Sequence, residues 1–292
     1  MREAVIVSTA RTPLTKAHRG EFNITPGATL AAFAVRAAVE RAGIDPSLIE
    51  DAILGCGYPE GTTGRNVGRQ AIIRAGLPVA IAGTTVNRFC ASGLQAIAMA
   101  AGRIVVDGAP AMIAGGVESI SHIRTREDGD SGMDPWIVAN KPELYLSMIE
   151  TADIVAARYG ISREAQDRFS AESQRKTEAA QLAGRYHDEI IACTTTMAVT
   201  DKETGVVSRR EVTVDAELAV GTRIENTEAV LIGLEEILAS ARAVEGVGIA
   251  GWGDVHRVRI GGVDMPVGGC SGTSGCFRVL NFRTDPDGKR SV

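Results

Sequence analysis

The chain has 292 residues, 45% of them hydrophobic and 23% charged, a balance that excludes a disordered, collagenous or coiled-coil protein and leaves room for one large or two ordinary domains. Its net charge of -5 argues against a broad nucleic-acid footprint, and its five widely spread cysteines, with no Cys-x-x-Cys pair, indicate neither a zinc site nor a secreted disulfide framework. The opening apolar run is too short for a signal peptide and no stretch of about 18 uncharged apolar residues occurs, so the expected setting is cytoplasmic, with neither nucleic acid nor membrane as a partner.

Ala4 to Ser8 reads as an apolar strand. Leu30, Phe33, Ala34, Ala37 and Ala38 recur at three- and four-residue spacing, which predicts a helix over Thr29 to Ala42 closed by Gly43. After a turn of helix at Asp45-Pro46 comes a buried strand, Ala52 to Gly55, then a helix, Asn66 to Ala75, stopped by Gly76. Ala82 to Asn87 reads as another buried strand, Ser92 to Val106 as a helix, and Ala111 to Ala114 as a strand. Strands alternating with helices predict parallel pairing in an α/β layered domain, residues 1–120. Residues 121–217 read as an excursion from that sheet. They contain helical patterns at Met148 to Tyr159 and Arg163 to Leu182, and two strand-like runs, Thr194 to Val199 and Val206 to Val214, around the turn Asp201-Lys202-Glu203-Thr204-Gly205. Residues 218–292 differ again: one helical pattern, Thr227 to Ala243, gives way to dense glycine without helical period.

The chemistry concentrates in Asn87-Arg88-Phe89-Cys90-Ala91-Ser92-Gly93-Leu94-Gln95. Cys90 falls where a strand ends and a helix begins. The first free amides of a helix and the positive end of its dipole stabilise a negative sulfur there. Ala91, Ser92 and Gly93 are small and leave room for a substrate. The position suits a nucleophile that forms a covalent intermediate; the competing reading is a small buried hydrophobe, the usual state of a free cysteine.

That segment resembles the nucleophile signature of the thiolase family, the acyl-CoA C-acetyltransferases. Ala10-Arg11-Thr12-Pro13, the helix-opening block Gly64-Arg65-Asn66-Val67-Gly68-Arg69-Gln70, Ala114-Gly115-Gly116-Val117-Glu118-Ser119-Ile120-Ser121 and Met148-Ile149-Glu150-Thr151-Ala152-Asp153 resemble other blocks of the same family. The resemblance covers residues 1 to about 217. It implies a thiolase-like layered α/β half with an inserted loop domain that holds coenzyme A, Cys90 accepting the acyl group as a thioester, and Met148 and Thr151 at the substrate. It implies no metal and no cofactor beyond the coenzyme A thioester that is the substrate, and a homo-oligomer. The family's second half-domain, with its Gly-His-Pro histidine and Cys-x-Gly cysteine, is not found here; Cys270-Ser271-Gly272 matches in letters only. The tail instead resembles a fragment of a penicillin-acylase-type N-terminal-nucleophile hydrolase, at Gly251-Trp252-Gly253-Asp254-Val255-His256 and Gly268-Gly269-Cys270-Ser271-Gly272. The expectation is an unrelated tail that shares no core with residues 1–217, joined near Glu217 as a fusion or a mis-joined sequence. The functional expectation is an acyltransferase impaired by the missing half, with an inactive remnant that binds coenzyme A or a partner as the alternative.

Other signals carry less. Gly246-Val247-Gly248-Ile249-Ala250-Gly251 spells a dinucleotide fingerprint without the strand before it or the helix after it. Asn23-Ile24-Thr25 is a glycosylation sequon in letters. Arg65 and Arg69 read as a solvated helix face, and Glu118 as a hydrogen-bonding carboxylate near the Cys90 turn.

Overall fold

The computed structural model describes residues 3–123 and 132–215, and the backbone of three strands further on. The joint near Glu217, the helix expected over Thr227 to Ala243, the glycine run from Gly246, His256 and Cys270 lie outside the described residues. The chain forms two compact units: Met1–Arg124, His187–Leu218 and Arg257–Val292 make the first, and Thr125–Tyr186 with Ala219–His256 the second.

In chain order the elements are β1 (Val5–Arg11), α1 (Gly27–Ala42), β2 (Ile49–Gly55), α2 (Val67–Ala75), β3 (Ala82–Val86), α3 (Ser92–Gly102) and β4 (Ala111–Gly116). The second unit supplies α4 (Pro135–Asn140), α5 (Met148–Tyr159) and α6 (Arg163–Leu182). The hairpin β5 (Cys193–Thr200) and β6 (Val207–Val214) follows, then β7 (Val258–Ile260), β8 (Val263–Met265) and β9 (Cys276–Asn281).

The first unit is built on a five-stranded sheet in the order β1-β9-β4-β2-β3. β2 runs parallel to β3 and β4, as the strand–helix alternation predicts. Side chains of β2 and β4 alternate between two cores with period two. Ala52, Leu54, Ala111 and Ile113 join α1 and α2 on one face, while Ile53, Met112 and Ala114 join α3 on the other. Both faces are covered, which is why these strands read as unbroken apolar runs.

Two expectations are corrected. β3, predicted buried, is the edge strand and is half-exposed along its length; its Thr84 and Thr85 suit that position. The tail, expected to share no core with residues 1–217, contributes β9 to the sheet, between β1 and β4. β9 pairs antiparallel with β4 from Gly116↔Cys276 to Ala111↔Asn281, and with β1 from Arg11↔Cys276 to Val5↔Asn281. Ladder pairing is made by backbone groups, so a distant strand leaves no mark in helical periodicity.

The hairpin is tied to the first unit. The Asn23 side chain donates to the Ala198 carbonyl at 2.7 Å and accepts from the Ala198 amide at 3.0 Å, and the Thr25 and Thr195 hydroxyls meet at 2.7 Å. Both polar residues of the apparent sequon are thereby engaged. Among the described residues, Phe89–Asp107 is long and apolar enough to cross a membrane by composition. Ala96, Ile97, Ala100, Ala101 and Ile104 within it are buried against the sheet, as in the core helix of a globular domain.

Candidate active site

The site begins with the clamp on β3. Asn66 caps α2 by accepting from the Arg69 amide at 3.1 Å, donates to the Gly83 carbonyl at 2.7 Å and accepts from the Thr85 hydroxyl at 2.9 Å. Helix and strand touch closely: a Cβ on Gly68 would lie 2.4 Å from the Thr84 oxygen, and one on Gly83 2.5 Å from the Arg69 Cα. The Arg69 guanidinium donates to the Ile81 carbonyl and, at 2.8 Å, to the Val79 carbonyl. It is a strap over the loop entering β3, not a solvated face. The Gly64–Gln70 block therefore fixes the edge strand that leads to Cys90.

β3 ends in a tight turn. Phe89 has φ 46, in the left-handed region that a bulky side chain rarely adopts, and is 68% exposed. Cys90 is exposed at the entrance to α3, and the helix's N-cap residue, Ala91, makes no side-chain cap. Open space adjoins Gly93. On the sheet side there is none: a Cβ on Gly55 would lie 2.4 Å from the Ser92 carbonyl carbon. The end of β2 and the start of α3 meet backbone to backbone, and the turn faces outward.

Two polar side chains hold this turn, and the sequence pattern alone did not single them out for it. Asn87 accepts from the Phe89 amide at 2.8 Å and donates to the Gly57 carbonyl at 3.1 Å. Ser92, buried, accepts from the Arg88 amide at 2.8 Å and donates to the Phe89 carbonyl at 2.6 Å. The signal was present in the residue types: Asn at a strand end and Ser in a first helical turn both favour bonds to nearby backbone.

Below the turn lies Glu118, with the structural role expected of it. It accepts from the Gly57 and Tyr58 amides at 2.8 and 3.2 Å, and the Cys56 thiol donates to it at 3.5 Å. Burial, and next the charge of Glu118, push the Cys56 thiol up to about 12. Burial alone pushes the Cys193 thiol to about 12 as well. Of the three cysteines whose side chains are described, Cys90 is the exposed one.

Met148 and Thr151 stand in the first turn of α5. Met148 is half-exposed, and the Thr151 hydroxyl donates to the Ser147 carbonyl at 3.0 Å. Both belong to the second compact unit, whereas Cys90 belongs to the first. Among the described residues no three His, Cys, Asp or Glu side chains gather as a metal site would require.

A family model for the thiolase N-terminal domain matches residues 4–226. The chain belongs to the thiolase family. It is similar to the 3-ketoacyl-CoA thiolase of Bacillus subtilis, 42% identical over 192 residues, covering 65% of this chain and 49% of that protein. The acetyl-CoA acetyltransferase of Cupriavidus necator is 41% identical over 202 residues, covering 65% of this chain and 51% of that protein. This thiolase chain thus spans about half the length of those curated relatives. The 3-ketoacyl-CoA thiolase of Colwellia psychrerythraea is 34% identical over 285 residues, covering 92% of this chain and 71% of that protein. That last match extends into the segment set apart by composition as the tail, as the family model does to residue 226.

Proposed function

We propose that this chain performs thiolase-type acyl transfer through a thioester on Cys90. The observation that carries the reading is an exposed cysteine on a clamped turn at the entrance to α3, in a chain of the thiolase family. The sulfur of Cys90 attacks the carbonyl carbon of an acyl-CoA thioester. The bond from that carbon to the coenzyme A sulfur breaks, the acyl group stays on Cys90, and coenzyme A leaves with the thiol's proton. The similar proteins bear the names 3-ketoacyl-CoA thiolase and acetyl-CoA acetyltransferase, which supports an acyl-CoA as donor.

Residues 121–217, with Met148 and Thr151, are the proposed coenzyme A-holding segment, and no other cofactor is invoked. The setting is cytoplasmic, and the half-exposed edge strand β3 supports assembly with a second copy. The Gly-His-Pro histidine that would activate the sulfur does not occur in these residues, so the step assigned to them is acylation of Cys90. The same observation favours the second reading, a chain that binds coenzyme A or a partner without transfer.

Incubation of the full chain with acetyl-CoA, followed by peptide mass spectrometry, separates the two. Acetyl-CoA should acetylate Cys90 and release coenzyme A, and Cys90→Ala should abolish both. Coenzyme A binding without acetylation of Cys90 would establish the second reading. Acetoacetyl-CoA cleavage should be slow, since loss of a general base alone costs about 10²- to 10⁴-fold.

A further inference from the structure

We infer that Ser92 is the positioning residue of Cys90: its hydroxyl locks the strained turn on one side of the nucleophile to the helix on the other. The inference rests on the acyl-transfer reading for its purpose, but on geometry for its content. A residue with the bulk of Phe89 is strained in the left-handed region and stays there only when its surroundings over-determine it. The turn exposes three backbone groups with no place in the sheet ladder: the Arg88 amide, the Phe89 amide and the Phe89 carbonyl. Ser92 binds the first at 2.8 Å and the third at 2.6 Å, and Asn87 binds the second at 2.8 Å.

The two side chains are anchored differently. Asn87 leans on Gly57, which Glu118 holds in turn. Ser92 belongs to the first turn of α3, and its own backbone is wedged against Gly55 of β2. Its hydroxyl therefore couples the turn to helix and sheet at once, and Cys90 sits between the groups it joins. Without that hydroxyl the Arg88 amide loses its acceptor, the Phe89 carbonyl keeps only the Ser92 amide at 3.0 Å, and Phe89 is free to relax out of the left-handed region. Cys90 then loses the fixed place that the turn gives it before α3.

The test is competitive alkylation of the full chain with limiting iodoacetamide, in which the Cys90 sulfur displaces iodide. It is read by peptide mass spectrometry for the native chain, Ser92→Ala and Ser92→Thr. Cys56 and Cys193, 1% and 0% exposed, report general loosening of the fold. Ser92→Ala should slow alkylation of Cys90 about tenfold while both buried thiols stay protected, and Ser92→Thr, which keeps the hydroxyl, should recover the rate to within about twofold. An unchanged rate in a protected Ser92→Ala chain overturns the inference. So does a Ser92→Ala chain in which Cys56 and Cys193 become labelled, for Ser92 would then act on the fold at large. Acetyl-CoA in a parallel reaction keeps the two readings apart. A native Cys90 that iodoacetamide labels and acetyl-CoA does not would remove the acyl-transfer proposal, and the ranking of the three chains would still decide the role of Ser92.

Discussion

In the first unit α1 buries Leu30, Ala31, Ala34, Val35 and Ala38 against the sheet, while in the second unit α5 and α6 have no buried residue at all. The helices of the two units are specified by different physics. α1 starts without a side-chain cap and is held by its apolar face. α5 starts with a reciprocal capping box, the Ser147 hydroxyl accepting from the Glu150 amide at 3.2 Å and Glu150 accepting from the Ser147 amide at 2.8 Å. α6 is capped by Ser162 and laced by charge pairs such as Arg163–Asp167 at 2.8 Å. Local chemistry says where a helix begins and ends; burial says what it is attached to.

The largest expected effect tests whether burial in the first unit depends on β9. Val279 stands opposite Ser8 on β1 and Ile113 on β4. Val279→Pro in that interior strand should cost about 3 kcal/mol or more and lower the urea midpoint accordingly. An unchanged midpoint would break the comparison, because the core would then stand without the strand that joins β1 to β4. Next in size is a matched pair of truncations. Leu54→Ala, at 0% exposure in β2, should cost about 2–5 kcal/mol, whereas Ile154→Ala, at 45% exposure in α5, should stay within about 0.5 kcal/mol. Equal losses in denaturant melts would show that α5 buries its apolar face as α1 does.

Smaller again is the cap. Ser147→Ala should destabilise α5 by about 1 kcal/mol, visible as faster amide hydrogen exchange in its first turn with Leu54 unaffected. The smallest effect is that of pH. The Ser147 hydroxyl, and next its amide, hold the Glu150 carboxyl below the usual glutamate range. A carboxyl whose value is depressed on folding contributes stability that is fully present above the ordinary glutamate value and is lost as pH falls through the lower folded one. Exchange in the first turn of α5 should therefore accelerate, relative to Leu54, as the pH is taken down through that window, and Ser147→Ala should remove the dependence. Pure local specification predicts both outcomes.

The same division explains what could be read in the sequence. Gly43, Gly76 and Gly160 were legible as helix stops, and each adopts a left-handed φ, 61, 76 and 65. The helices at 148–159 and 163–182 were legible to the residue, because caps and breakers are local. The order of strands was not. Nothing in Cys276 to Asn281 says that it pairs with two strands far earlier in the chain, and β3 differs from a buried strand only by Thr84 and Thr85. The strand-to-helix change around Cys90 was legible, and the residue stands exposed at the entrance to α3. Arg69 was misread because its partners are carbonyls, which every residue carries. Asn87 and Ser92 carried a signal in their residue types, but which backbone groups they would bind depends on a turn whose shape the letters do not give.

The place of β9 has a consequence for synthesis. β2, β3 and β4 lie close together in the chain and can form their parallel ladder early, but the sheet neighbour of β1 is β9. On the ribosome, β1 emerges first and must wait, unladdered, until residues 276–281 have been made. Contacts so distant in sequence slow folding and leave apolar strands open to other chains in the interval. Val5 and Val7 lie on the strand that waits longest.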